Sequence, residues 1–83
     1  MNITSKQAVE IAKKYLTSLI DAHPVLLEEV DTSEDGKYWL ITLSYPADSL
    51  SSMFQKQYPK EYKIFKINGT TGDVVSMKIR QLK

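Results

Sequence analysis

Sustained helical periodicity occurs once in this sequence, over residues 4–22, and most of the chain after Pro24 alternates instead. Ala8, Ile11, Ala12, Tyr15, Leu16, Leu19 and Ile20 recur on one helical face, with Lys6, Glu10, Lys13, Lys14 and Thr17 largely opposite. One helix can cover one face of one sheet, so a single stripe points to a two-layer α+β domain. Thr4 is the expected N-cap, Gln7 completes a capping box, and Ile3 is placed to staple against Ala8. The helix should end at "DAHP", because Pro24 disfavours helical geometry at His23.

The remainder reads as strands. Residues 25–33 and 37–45 flank Asp35-Gly36, a pair suited to a two-residue hairpin turn. That turn sets Val30 opposite Ile41. It sends Trp39, Ile41, Leu43 and Tyr45 to one face and Tyr38, Leu40, Thr42 and Ser44 to the other. A second hairpin, "EYKIFKINGTTGDVVSMKIR", turns on residues where Asn68, Gly69 and Gly72 tolerate left-handed backbone. Phe65 and Ile67 should then share a face with Val75, Met77 and Ile79. The expected architecture is one N-terminal helix on a four-stranded antiparallel meander sheet, a single domain over residues 1–83. Its core should join Ile11, Tyr15, Leu16 and Leu19 to Trp39, Ile41, Phe65 and Met77.

Between the hairpins, "PADSLSSMFQKQYPK" is long for a connection in a small domain. Pro46 and Pro59 bracket it, and Leu50, Met53, Phe54 and Tyr58 make it unusually apolar. It reads either as a lid on one end of the core or as a partner-binding lip.

Composition removes several function classes. At 83 residues there is material for one core. The net charge of +1 gives no broad footprint for nucleic acid or anionic lipid. The absence of Cys excludes disulfides, thiolate metal sites and cysteine nucleophiles. Nowhere do about 18 apolar residues run together, and "MNITSKQAVE" lacks the apolar core of a signal peptide. A cytoplasmic chain is the expectation, or an envelope location if the sequence is a domain of a longer exported protein.

The chemistry-bearing residues do not assemble into a catalytic pattern. His23 is the sole histidine, placed where an imidazolium would meet the helix C-terminal dipole, with no nucleophile assigned beside it. Asp31, Ser33, Asp35 and Gly36 match the first half of a calcium loop, but its twelfth position is Thr42. "GTTG" precedes a strand, whereas a phosphate cradle precedes a helix. Nucleic-acid binding is disfavoured because Glu29 and Asp31 should share the sheet face that carries Lys66 and Lys78. No catalytic, cofactor-binding or metal-ligating residue is therefore assigned.

Three stretches, "TSKQAVEIAKKYL", "GKYWLITLSY" and "YKIFKINGTTGDVVSMKI", resemble the PepSY-like domains. Ala8, Ile11 and Ala12 match the helix pattern of that family. Tyr62, Phe65, Ile67, Asn68, Thr71, Gly72, Asp73 and Val74 match its closing strand and turn. Members occur in propeptides of thermolysin-like peptidases and in bacterial cell-envelope proteins, bind or inhibit peptidases, and carry no catalytic residues. The middle connection departs from the family in its apolar content. The resemblance implies a non-enzymatic protein-binding module, regulatory or inhibitory toward a peptidase or other protein. The alternative is a small intracellular immunity or accessory protein that blocks a toxin or enzyme by surface contact. Either would use the sheet face away from the helix, through Tyr38, Leu40, Tyr62 and Ile64 with Lys78 and Arg80 at the rim. Met53 and Phe54 would extend that face toward a protein partner or a second copy.

Overall fold

The computed structural model describes residues 1–46 and 60–80. Helix α1 (Ser5–Leu19) is followed by strands β1 (Leu26–Thr32), β2 (Tyr38–Pro46), β3 (Lys60–Asn68) and β4 (Val74–Ile79). The strands form one antiparallel sheet in the order β1-β2-β3-β4, an α+β meander with the helix packed on one face.

The helix begins as its sequence requires. Thr4 Oγ1 accepts from the Gln7 backbone N–H at 3.1 Å, and the Gln7 side-chain Oε1 accepts from the Thr4 backbone N–H at 2.9 Å. Two N-terminal donors that the helix cannot satisfy itself are thus bonded. The helix ends at Leu19, well before Pro24. In its last turn Thr17 and Ser18 donate their hydroxyls back to the Lys13 and Tyr15 carbonyls, and Ile20 is already extended. Hydroxyl bonding to the preceding turn competes with helix continuation, so the proline is not the terminator.

Ala8, Ala12 and Leu16 face the sheet and are fully buried, together with Ile41, Leu43, Phe65 and Ile67. Two of the three helical contacts are alanines, which lets the helix axis come close to the strands. Its densest contacts are with β2, one of the two central strands. Two expected core residues consequently fail to reach cover. Leu19 is 54% exposed, and Tyr15 remains exposed although its ring meets Phe65 edge-on at 6.3 Å between centroids. Ile11, Trp39 and Met77 are partly buried at the core margin. The Trp39 indole donates to the Ile3 carbonyl at 2.8 Å and fastens the N-terminus to β2.

Val30 pairs with Ile41 as the alternation requires, but through a different turn. Ser33 N–H donates to the Tyr38 carbonyl, so the loop spans residues 34–37 rather than two. A loop longer by two residues leaves the side-chain parity intact. Gly36 carries the positive φ of 71°, and Asp35 does not share it. In the second turn only Gly72 is left-handed, at φ 81°. Asn68 and Gly69, which tolerate that conformation, do not adopt it. Asn68 instead ends β3, with its side-chain oxygen accepting from the Thr70 and Thr71 amides at 2.8 and 3.0 Å. The register shifts between Lys66 and Ile67, so Val74 and not Val75 lies opposite Ile67. Val75 is the extra residue of that bulge, and it is exposed.

Candidate partner-binding face

Alternation along β2 and β3 builds the sheet face away from the helix. Leu40 lies opposite Lys66, Thr42 opposite Ile64, and Ser44 opposite Tyr62. Leu40 and Ile64 are therefore diagonal neighbours, close enough to touch. Tyr38, Leu40, Tyr62 and Ile64 share this face as the sequence predicted, and each is half-buried. The Lys66 ammonium sits 4.5 Å from the centre of the Tyr38 ring, a cation–π contact that covers part of that ring. Met53 and Phe54 lie outside the described residues.

Thr42 and Ser44, in the middle of the same face, are buried to 1% and 0% exposure. Both hydroxyls have partners, as burial demands. Ser44 donates to Glu28 at 2.5 Å, and the Arg80 guanidinium donates to Thr42 Oγ1 at 2.8 Å. The same Arg80 nitrogen forms an ion pair with Glu29. Arg80 follows β4, while Thr42 and Glu29 belong to β2 and β1, so its side chain crosses the face over β3. Of the two basic residues assigned to the rim, Arg80 is engaged within the molecule. Lys78 is exposed, with no ion pair among the described residues.

On the helix side, a cavity of about 420 Å³ opens beyond the helix end, with Ile20, Asp21, Tyr45, Glu61, Lys63 and Met77 among its walls. The Tyr45 hydroxyl donates to Glu61 at 2.8 Å. Burial first, then the hydrogen bond and charge of Glu61, push this phenol up to about 12. A phenol held neutral beside an exposed carboxylate is a structural contact, and no activated nucleophile adjoins it among the described residues. His23 lies four residues past Leu19, outside the last helical turn, and the dipole effect falls off within that turn.

The acidic run also resolves into turn chemistry. The Asp35 carboxylate accepts from Ser33 Oγ at 2.5 Å and from the Lys37 amide at 3.0 Å. Those two bonds, the Ser33 one foremost, hold its pKa below the ordinary value of 3.8. Among the described residues no three His, Cys, Asp or Glu side chains group as metal ligands.

Sequence reasoning missed the apolar surface on the helix side. Leu27 and Val30 on β1, Leu19 and Ile20 at the helix end, and Ile79 on β4 at 72% are all exposed. Counting was the available signal, since a helix of 15 residues centred on β2 leaves inward-facing positions of both edge strands uncovered.

No family model matches the chain, and no curated protein or solved structure matches it. The fold itself defines the class: one helix on an open four-stranded antiparallel sheet whose second face no helix covers among the described residues.

Proposed function

We propose that the chain is a non-enzymatic protein-binding module of the PepSY-like kind, acting on a peptidase or another protein by surface contact. The observation that carries this reading is the adjoining set Tyr38, Leu40, Tyr62 and Ile64 on the face away from α1, with Lys78 exposed at its margin. Half-buried aromatics and aliphatics, interleaved with Thr42, Ser44 and the crossing Arg80 side chain, give a mixed apolar and polar surface, and aromatics and arginine are enriched at protein contacts. The resemblance of the chain's helix and turn residues to that family is what suggests a peptidase as the partner class.

Titration of the domain against a thermolysin-like peptidase should lower turnover, and Tyr62→Glu should weaken that effect with the melting temperature nearly unchanged. Full peptidase activity at saturating domain would remove the peptidase reading. Unfolding of Tyr62→Glu would show that Tyr62 is needed for the sheet and is not a contact residue.

A further inference from the structure

The two edges of the sheet are complementary to one another in pattern and charge. On β1, Val30 lies on the helix side and Glu29 and Asp31 on the other, each residue exposed. On β4, Met77 and Ile79 lie on the helix side and Lys78 on the other, while the Arg80 side chain just beyond it turns away from this edge to Thr42 and Glu29 of its own chain. One edge thus presents apolar-in, acidic-out; the other presents apolar-in, basic-out. We propose that β4 of one copy pairs with β1 of a second copy, antiparallel and head to tail, continuing the meander from chain to chain.

The backbone hydrogen bonds fix which groups are available. The Ser33 amide donates to the Tyr38 carbonyl, so by antiparallel alternation Asp31 and Glu29 also face β2, while Val30 and Thr32 aim outward. The Arg80 amide donates to the Tyr62 carbonyl, so Lys78 and Ser76 face β3, while Met77 and Ile79 aim outward. One register satisfies both edges. Val30 opposite Ile79 exchanges hydrogen bonds directly, and Thr32 opposite Met77 does so once the Thr32 amide, which donates to the Asp31 carboxylate at 2.8 Å, is released as Asp31 turns to Lys78. Asp31 then falls opposite Lys78 in the closer, non-hydrogen-bonded pairing. Both bulges, at Glu28 and Val75, lie outside this ladder. Bulges and charges on edge strands ordinarily prevent pairing. Here the charges repel only like edges, which disfavours β1–β1 and β4–β4 dimers and leaves the unlike junction.

The helices leave room for it. Four strands at about 4.8 Å separate successive helices by about 19 Å, against a helix diameter of about 10–12 Å. The exposed Tyr15, Leu19 and Val30 adjoin that gap, and pairing would cover part of them. A head-to-tail junction does not close on itself, so growth proceeds past the dimer.

Sedimentation across rising protein concentration tests this without reference to any foreign partner. The wild-type mass should climb beyond two chains. Asp31→Lys alone and Lys78→Asp alone should each stay monomeric, because each makes its own two edges alike in charge. An equimolar mixture of the two should associate again, since every mixed junction is then opposite in sign. Amide exchange gives a second readout: Val30, Met77 and Ile79 should gain protection with concentration, while Asp31 and Lys78, already bonded within their own sheet, should not. A monomer at every concentration, a mass that stops at two chains, or mixed variants that remain apart would overturn the proposal. Tyr62→Glu, on the inner strand β3 and on neither pairing edge, should leave this assembly intact, so its fate is separable from that of the peptidase reading.

Discussion

Tyr45 is the residue whose protonation the fold constrains most. Its phenol pKa rises from 10.0 to about 12, a preference for the neutral form. A raised folded-state pKa contributes stability that is fully present below the unfolded value and lost as pH climbs through the folded one. Stability should therefore fall between about pH 10 and pH 12, and Tyr45→Phe should flatten that limb of a pH–melting curve. An unchanged alkaline limb in the variant would assign the loss to other groups. Gly72 is constrained by geometry instead: at φ 81° any side chain is strained, and a Cβ would stand 3.2 Å from Ile11 Cδ1. Gly72→Val should cost more than about 1 kcal/mol, several degrees of melting temperature in a domain this small. Gly72 was legible from the sequence because a tight turn needs positive φ somewhere. Gly69 was not, since its φ is ordinary and its constraint is a crowd: a Cβ there would meet Met1 and come within 3.0 Å of the Lys37 carbonyl. Nothing local in "NGTTG" announces neighbours so far away in sequence.

At the scale of elements, the helix divides into residues that hold the sheet and residues that only look as though they should. Leu16 is fully buried and Leu19 is more than half exposed, though both belong to one apolar stripe. Leu16→Ala should cost about 2–5 kcal/mol, while Leu19→Ala should cost under about 1 kcal/mol. Chemical denaturation of the two variants would separate them, and equal losses would mean the helix seats further along the sheet. The stripe was readable because period is a property of the segment itself. How far it is covered was not, because that depends on which strand the helix crosses. Strand parity survived an error in turn length, since Val30 faces Ile41 across either a two- or a four-residue loop. Val75 was misplaced for the converse reason: one bulge residue changes parity, and no sequence signal in "GDVVSM" marks it. The apolar and basic residues of the candidate face were legible by alternation alone, whereas Arg80's turn inward toward Thr42 and Glu29 requires the folded sheet.

For the whole molecule, the question is what holds an open sheet together on the face away from α1. Arg80 joins the far side of β4 to β2 and β1, spanning every strand of the sheet with one side chain. Its two bonds differ in consequence. The Glu29 carboxylate is half exposed and the guanidinium about a third exposed, so the ion pair itself is worth about 0–1 kcal/mol. Thr42 is 1% exposed, and loss of its donor leaves a buried hydroxyl short of a partner, at about 1–3 kcal/mol. Glu29→Gln should therefore be nearly silent in denaturant titration, while Arg80→Ala should destabilise clearly. Thr42→Val supplies the discriminating cross: it removes the hydroxyl that needs Arg80, so Arg80→Ala in that background should cost markedly less than in the wild type. If the two losses simply add, Arg80 acts through packing of its methylene stem over the face and not through Thr42. In either event Lys78 remains the basic residue at this margin with no intramolecular tie among those described, and Lys78→Ala should leave stability within about 0.5 kcal/mol of the parent.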